Sequence, residues 1–331
     1  MNPAEACRHF PGVGTAGRPV ETAGGHIHRT WIVPATTGRW VLQACNADVF
    51  PDLPALMHNT TLVASAVEPL LVPEPAADGS SLWRDREGVV WRMRRFVDGT
   101  MCDPVGASTG SLGELGRGLG AFHRRVAGLS GLRQHLPGFH DPRRRWAELE
   151  RLGVGGLAPF RFLVDEADRL GPPAVPVRVA HFDAKADNFV LDGRGRVRAL
   201  IDLDTVMPGS WLWDVGDLAR SVTGTRAEDE PDGMAFDGVR FDAVVAGYLA
   251  EVGELLTASE RDALGLAAAV VTFEQAVRFL ADHLAGDVYY RVARPGHNLD
   301  RYRAQLALLE SMTAAGLGRP DERSGPFYPR R

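Results

Sequence analysis

Lysine is almost absent from this chain: Lys185 is the single lysine among 37 basic residues, and the others are arginines. The three cysteines are far apart and form no Cys-x-x-Cys pair, so they support neither a disulfide framework nor a zinc site. The formal net charge of −5 gives no electrostatic case for binding nucleic acid. No signal-peptide-like stretch or membrane-length apolar run is evident, so we expect no membrane partner and a cytoplasmic location.

The 331 residues have an ordinary globular composition, with 45% hydrophobic residues, and their number suggests two lobes. Short β-like stretches at 30–33, 40–44 and 89–96 surround one helical pattern at 53–67. The chain after Asp98-Gly99 is mainly helical. The pattern predicts an α+β protein with a small β-rich lobe over 1–98 and a mainly helical lobe over 99–331.

The larger lobe also contains a short β region. Helical patterns at 112–129, 143–152 and 160–170 precede a strand at 177–180, and the region 214–316 is again helical. Between them, 189–191 and 197–203 are predicted to form a hairpin around the turn Asp192-Gly193-Arg194-Gly195.

The single lysine lies in His181-Phe182-Asp183-Ala184-Lys185-Ala186-Asp187-Asn188. The spacing His-x-Asp-x-Lys-x-x-Asn is typical of a kinase catalytic loop. We predict that Asp183 orients and deprotonates an acceptor hydroxyl and that Lys185 places its charge near the transferring phosphate. His181 is predicted to anchor the loop through backbone hydrogen bonds.

Carboxylates follow the predicted hairpin in Leu200-Ile201-Asp202-Leu203-Asp204. Magnesium prefers hard oxygen ligands, so we predict Asn188 and Asp202 as metal ligands and Asp204 as a ligand of a second metal or its water. The alternative is that Asp183 and Asn188 only cap a turn and that Lys185 is a surface charge. The ordered set favours phosphoryl transfer.

Nucleotide contacts are predicted in the smaller lobe. Backbone amides of the turn Gly24-Gly25-His26 could cover phosphates. Gln43 stands roughly where kinases carry a phosphate-clamping lysine on the third strand. An arginine such as Arg92 or Arg94, or the backbone alone, is expected to compensate. The end of the 89–96 strand completes the predicted set, with Arg95, Phe96 and Val97.

Several longer stretches resemble the aminoglycoside phosphotransferase and choline kinase superfamily, and most closely its N-acetylhexosamine 1-kinase branch. The most specific are Ile201-Asp202-Leu203-Asp204-Thr205-Val206-Met207-Pro208-Gly209 and Gly286-Asp287-Val288-Tyr289-Tyr290. Others are 25–30, 98–100, 137–141, 278–282 and 296–301, so the resemblance runs from about residue 10 to 310. It implies a bilobal protein-kinase-like fold, ATP and Mg²⁺, and phosphorylation of the anomeric hydroxyl of a hexosamine.

The resemblance places the sugar between the catalytic loop and the C-terminal helices. Candidate sugar contacts are His28, Arg278, Tyr290, Asn298 and Arg301. For each of them, a structural role as an ion pair, a core aromatic or a strand residue is about equally expected.

The sequence also departs from the branch, because Phe182 and Ala184 replace the polar residues that commonly flank the catalytic aspartate. The ordinary N-acetylhexosamine is therefore not the only acceptor to consider. A kinase for an aminoglycoside, an aminocyclitol or another natural-product hydroxyl is the first alternative. A pseudokinase-like module that binds nucleotide or sugar without turnover is the second.

Overall fold

A computed structural model describes residues 2–22, 27–153 and 155–318 of the chain. It divides into two compact units. The first comprises Met1–Asp98, Leu129–Leu136 and Leu203–Met207, and the second comprises Gly99–Gly128, Pro137–Asp202 and Pro208–Arg331. The sequence-based boundary after residue 98 coincides with this division, whereas the two short segments that join the first unit were not predicted.

The first unit is built on a five-stranded antiparallel sheet of order β1-β2-β3-β5-β4. Its strands are β1 Val20–Glu21, β2 Arg29–Ala35, β3 Gly38–Cys45, β4 Trp83–Arg84 and β5 Val90–Arg95. Period-2 burial puts Trp31 of β2 opposite Leu42 of β3 on one buried face, and the Trp31 and Trp91 rings lie 5.4 Å apart. These aromatic and aliphatic pairs hold the sheet together.

The described residues of this unit form two α-helices, α1 Pro3–Cys7 and α2 Leu53–Val67. Helix α2 has the bounds that its sequence pattern predicts. Asp52 caps it by accepting from the Ala55 N–H at 3.0 Å. Inside it, the fully buried Asn59 side chain donates to the carbonyls of Arg133 and Val206, which ties both short segments to the unit.

The second unit carries a three-stranded sheet of order β6-β8-β9 and the pair β7 with β10. The strands are β6 Thr100–Met101, β7 Arg178–Ala180, β8 Phe189–Leu191, β9 Val197–Leu200 and β10 Met207–Gly209. The predicted hairpin is present as β8 and β9. Strand β6, which pairs with β8, was not predicted because it has only two residues.

Helices form the rest of this unit. They are α3 Thr109–Val126, α4 Pro142–Leu152, α5 Arg161–Glu166, α6 Trp211–Val222, α7 Gly238–Val252, α8 Ala258–Asp262, α9 Leu264–Leu284 and α10 His297–Ala314. The helix predicted at 160–170 is wrong in length, because α5 is flanked by the 3₁₀ turns Ala158–Phe160 and Ala167–Leu170.

Helix α9 is long and apolar enough to cross a membrane by length and composition, with a mean hydropathy of 1.4 over its most apolar window. The sequence-based statement that no run approaches that length is wrong for this segment. However, 89% of that window is buried inside the protein, as in a core helix. The packing of α9 against α6 and α10 accounts for its apolar surface.

Candidate active site

The catalytic-loop residues predicted from the sequence come together in the second unit. Lys185 Nζ lies 3.1 and 3.0 Å from the two carboxylate oxygens of Asp183. The Asn188 amide nitrogen donates to the Asp183 backbone carbonyl at 2.7 Å and to Asp183 Oδ2 at 2.9 Å. About a quarter of the Asp183 and Lys185 side-chain surface remains exposed, so the carboxylate is held in place and stays accessible.

The electrostatics of this pair fix its charge state. Burial disfavours the ionised form of Asp183, but the charge of Lys185 and the hydrogen bonds from Lys185 and Asn188 outweigh it and lower the pKa to about 2. Burial likewise disfavours the ammonium, but the charges of Asp183, Asp202 and Asp217 raise the pKa of Lys185 well above its ordinary value. At neutral pH the site therefore contains a carboxylate of low basicity and a permanent cation.

Asp214, in the first turn of α6, braces the loop from below. Its oxygens accept from the backbone N–H groups of His181 at 2.7 Å and Phe182 at 2.6 Å, and His123 Nε2 lies 2.8 Å away. Asp214 does not cap this helix, because Ser210 accepts from the Leu212 N–H in that role.

His181 anchors the loop, as predicted. Its Nδ1 accepts from the Asp183 N–H at 3.3 Å, and its Nε2 lies 3.0 Å from the Ile201 carbonyl. An imidazole that accepts at Nδ1 carries its proton on Nε2, so it donates to Ile201. This links the catalytic loop to the end of β9.

Phe182 has a φ of 66°, a left-handed conformation that a bulky side chain rarely adopts and that costs about 1–3 kcal/mol. Asp214 fixes its N–H, and its ring is buried against Gly209, where an added Cβ would approach the ring to 2.1 Å. The glycine that ends the Ile201–Gly209 motif is therefore required by the aromatic residue in the loop.

Asn188 and Asp202 lie at adjoining positions of the hairpin. The Ile201 N–H donates to the Asn188 carbonyl at 2.8 Å, which brings Asp202 next to Asn188, and Asp202 is exposed at a φ of 67°. Since both Asn188 amide protons are donated to Asp183, its Oδ1 is left as a neutral oxygen ligand.

This pair of hard oxygen donors fits Mg²⁺, which is usually bound by one or two protein ligands together with substrate phosphates and water. When bound, the ion would neutralise charge on the phosphates. Across residues 2–22, 27–153 and 155–318, no group of three or more His, Cys, Asp or Glu could hold a metal by itself.

Asp204 belongs to the first unit and has a different environment from the one its predicted metal role requires. Arg92 grips it in a two-pronged ion pair, with Nη2 2.6 Å from Oδ2 and Nη1 bonded to Oδ1, and His28 Nε2 lies 2.9 Å from Oδ2. Burial opposes ionisation, but Arg92 and His28 outweigh it and hold the pKa of Asp204 well below its usual range. This geometry counts against metal binding by Asp204 and makes Arg92 unsuitable as a replacement phosphate clamp.

His28 is likewise explained by the first unit, because its Nδ1 accepts from the Asn46 N–H at 3.0 Å while Nε2 faces Asp204. Gln43 is held at both ends of its amide: it accepts from Arg92 Nε at 2.9 Å and donates to Thr30 Oγ1 at 3.2 Å. The structure therefore places both residues in the Arg92–Asp204 network.

The other predicted nucleotide contacts fall into two groups. Gly24, Gly25 and His26 lie outside the described residues. Arg95, Phe96 and Val97 lie at and after the end of β5, where the Phe96 N–H donates to Arg39 and Arg95 donates to the Thr37 carbonyl. Their nucleotide role stays a prediction.

Among the predicted sugar contacts, Arg278 and Tyr290 lie together. The Arg278 guanidinium is 5.2 to 5.8 Å from the ring centres of Phe139, Tyr289 and Tyr290. Within the described part of the chain, Arg278 has no carboxylate within the 4.0 Å of an ion pair. Burial opposes its charge, but Tyr290, Tyr289, Glu274 and Asp183 raise its pKa, so it is a cation in the same region as Asp183.

Asn298 and Arg301 are also predicted sugar contacts, but both are buried and form hydrogen bonds within the protein. Arg301 donates to Asn298 Oδ1 at 3.0 Å, and Asn298 donates to Asp282 Oδ2 at 2.9 Å. Asp282, which the sequence analysis missed, also accepts from the backbone N–H groups of 288, 289 and 290. It thereby shapes the loop that carries Tyr289 and Tyr290, and its only sequence signal was the Arg278–Asp282 stretch.

The family to which the chain belongs is shown by comparison with known proteins. Residues 20–255 match a family described as phosphotransferase enzyme family. The chain belongs to that family. It is therefore a phosphotransferase that acts on hydroxyl acceptors, and the matched segment contains the loop with Asp183, Lys185 and Asn188 and the metal candidate Asp202.

Solved structures share the fold of this phosphotransferase at low identity. A microcompartment-associated aminopropanol kinase has a TM-score of 0.65 and 18% identity and covers 94% of this chain and 96% of its own. An amicoumacin kinase in complex with AMP-PNP, Ca²⁺ and Ami has a TM-score of 0.64 at 12% identity, covering 99% and 96%. The GDP complex of aminoglycoside 2′-phosphotransferase-IIIa has a TM-score of 0.62 at 15% identity, covering 93% and 99%. The mixed α+β fold is thus the protein-kinase-like fold of this family.

Proposed function

We propose that this phosphotransferase is an ATP- and Mg²⁺-dependent kinase of a free sugar, and that it transfers the γ-phosphate to the anomeric hydroxyl of a hexosamine or related sugar. The Asp183–Lys185–Asn188 cluster supports phosphoryl transfer. Phosphoryl transfer depends mainly on positioning and on neutralising charge, and the cluster supplies a fixed carboxylate and a fixed ammonium.

The low basicity of Asp183 supports the choice of an anomeric hydroxyl. A carboxylate with a pKa of about 2 takes a proton readily only when the hydroxyl is already losing it. An anomeric hydroxyl is more acidic than an ordinary alcohol, so it makes the smaller demand on this base.

The surroundings of Arg278 are the observation that supports a sugar as the acceptor. A guanidinium can only donate hydrogen bonds, so it suits hydroxyl and carbonyl oxygens of a sugar. The rings of Phe139 and Tyr290 beside it offer faces for the C–H surface of a sugar ring. A polycationic aminoglycoside would meet a like charge at Arg278, which among the described residues has no carboxylate within ion-pair distance.

A second candidate function is phosphorylation of an amino alcohol or an aminoglycoside. It is supported by the similar structures, which include those of an aminopropanol kinase and an aminoglycoside phosphotransferase. A non-catalytic binding module is the weaker reading, because Asp183, Lys185, Asn188 and Asp202 are all retained.

Phosphorus NMR tests the proposal. The protein is incubated with ATP, Mg²⁺ and a panel of hexoses, hexosamines and N-acetylhexosamines, and separately with aminoglycosides and amino alcohols. We expect a new phosphate signal coupled to an anomeric proton. Product from the second panel alone would overturn the sugar assignment, and ATP binding without product from either panel would favour the binding module.

A further inference from the structure

A buried histidine–glutamate pair lies beside the catalytic loop and has no role in the phosphoryl-transfer cluster. His140 Nδ1 is 2.6 Å from Glu274 Oε2, and the two side chains are 6% and 2% exposed. In the described part of the chain, the second nitrogen of His140, Nε2, and the second oxygen of Glu274, Oε1, have no hydrogen-bond partner. Leaving a buried polar atom unpaired costs about 1–3 kcal/mol, so this arrangement needs an explanation.

The His140 ring is held between two aromatic side chains. Its centre is 5.6 Å from that of Phe182 at an interplanar angle of 21°, and 5.0 Å from that of Trp213 at 10°. Because both rings stack on the imidazole, its edge nitrogens are the atoms that can make polar contacts. Glu274 takes one edge nitrogen, so Nε2 is the polar atom that remains.

The chemistry of the two unpaired atoms is defined by the contact between the side chains. In the tautomer that donates from Nδ1–H to Glu274, Nε2 of His140 keeps a lone pair. Nε2 and Oε1 are then both acceptors, and they call for a group that donates: a hydroxyl or an amide N–H.

The position of the pair connects it to the acceptor. Phe182, which stacks on His140, precedes the catalytic Asp183. Glu274 and Arg278 are four residues apart on α9, so they share one helix face, and Arg278 lies over Phe139, the neighbour of His140. The Phe182 ring therefore forms one side of the surroundings of His140.

We propose that the His140–Glu274 pair binds a hydrogen-bond-donating substituent of the acceptor sugar, a ring hydroxyl or an acetamido N–H. The inference rests on the proposed sugar kinase activity and adds a binding site to it. Phe182 and Trp213 act as positioning residues, since they hold the imidazole edge-on.

The experiment compares acceptors that differ by one donor. N-Acetylglucosamine, glucosamine, glucose and 2-deoxyglucose, and further monodeoxy forms of whichever is turned over, are assayed with the wild-type protein, with Glu274→Gln and with Glu310→Gln. Glutamine at 274 can still accept from His140 Nδ1 through its oxygen but places an NH₂ donor where Oε1 stands. Glu310 is exposed on α10 and serves as the matched control.

We expect the wild-type protein to discriminate against the analogue that lacks the recognised donor by about 10- to 100-fold in kcat/KM, mainly through KM. Glu274→Gln should largely lose that discrimination and keep its KM for ATP, whereas Glu310→Gln should match the wild type. In ¹⁵N-histidine NMR, the His140 Nε2 signal, assigned by its absence in His140→Gln, should shift with the recognised sugar and not with its deoxy analogue.

Two results would overturn the inference in distinguishable ways. If sugars are phosphorylated but Glu274→Gln discriminates as the wild type does and the His140 signal does not move, the pair holds only buried water. If no sugar of the panel is bound or phosphorylated, the proposed function fails and this inference fails with it.

Discussion

Asp183, which is half-buried, and Asp204, which is buried, both form ion pairs, one in each unit, and their surroundings differ in a way that separates chemistry from structure. Asp183 faces a single ammonium and is 28% exposed, whereas Asp204 is held by both prongs of Arg92 and by His28 and is 8% exposed. Lysine is a compact point charge and arginine a rigid fork. Lys185 contacts both oxygens of Asp183 as well, but that carboxylate stays accessible to another molecule, whereas the carboxylate of Asp204 is nearly inaccessible.

The comparison also reveals why the one lysine is where it is. In a protein that otherwise uses arginine, a guanidinium at position 185 would form two parallel hydrogen bonds with the Asp183 carboxylate, as Arg92 does with Asp204. The ammonium contacts both oxygens of Asp183 from a single atom and leaves about a quarter of that side chain exposed. We therefore predict that the lysine at position 185 keeps Asp183 reachable.

The largest effect is expected for Asp183→Asn. The side chain keeps its shape but cannot take a proton, so kcat should fall about 10²- to 10⁴-fold, while the midpoint of thermal unfolding and the binding of ATP change little. Steady-state kinetics and thermal shift with ATP measure both. The exposed Asp232→Asn is the control, and near-wild-type turnover of Asp183→Asn would remove Asp183 from the base role.

Asp204→Asn should show the opposite pattern. Removing one charge of a buried pair leaves Arg92 uncompensated, which typically costs 3–5 kcal/mol, so we expect the free energy of unfolding to fall by about that amount. Urea unfolding measures it against the same Asp232→Asn control. If stability is unchanged and the Mg²⁺ concentration needed for activity rises instead, Asp204 is the metal ligand that the sequence suggested.

Lys185→Ala should lower kcat by about 10²- to 10³-fold, because it removes a preorganised charge from the transferring phosphate. Lys185→Arg sharpens the comparison: if accessibility of Asp183 is what matters, arginine should restore little of the lost rate although it restores the charge. Full rescue by arginine would show that charge alone suffices.

The sequence predicted the parts of the site that are local in the chain. Asp183, Lys185 and Asn188 are within six residues and one loop, and Asp202 follows on the paired strand, so spacing and hairpin pattern were enough to bring them together. Strands β2, β3 and β5 and helix α2 of the first unit were similarly predicted from period-2 and helical patterns.

Long-range pairings were not predictable in this way. Arg92 and Asp204 are 112 residues apart, and His140 and Glu274 are 134 apart. An aspartate that follows a strand looks the same in the sequence whether a metal or an arginine meets it. Asn298 and Arg301 were assigned to the sugar because they are polar, and only their burial and their link to Asp282 show a structural role.

The smallest effect concerns pH and tests whether Lys185 sets the acidity of Asp183. The pKa of Asp183 is lowered from 3.8 to about 2, so Asp183 stays ionised from pH 5 to 8 and should produce no acid limb in kcat there. The same lowering means that ionised Asp183 stabilises the folded state above pH 3.8 and that this contribution is lost as pH falls from 3.8 to about 2.

In Lys185→Ala, burial raises the pKa of Asp183 without the opposing ammonium. An acid limb in the residual kcat should then appear at higher pH than in the wild-type protein. Superimposable pH profiles of the two proteins would contradict this account, because the lysine would then leave the proton affinity of Asp183 unchanged. Asp204 should be insensitive to the substitution, because its pKa is set by Arg92 and His28. The loss of unfolding free energy caused by Asp204→Asn, measured by urea unfolding, should therefore be the same whether residue 185 is lysine or alanine.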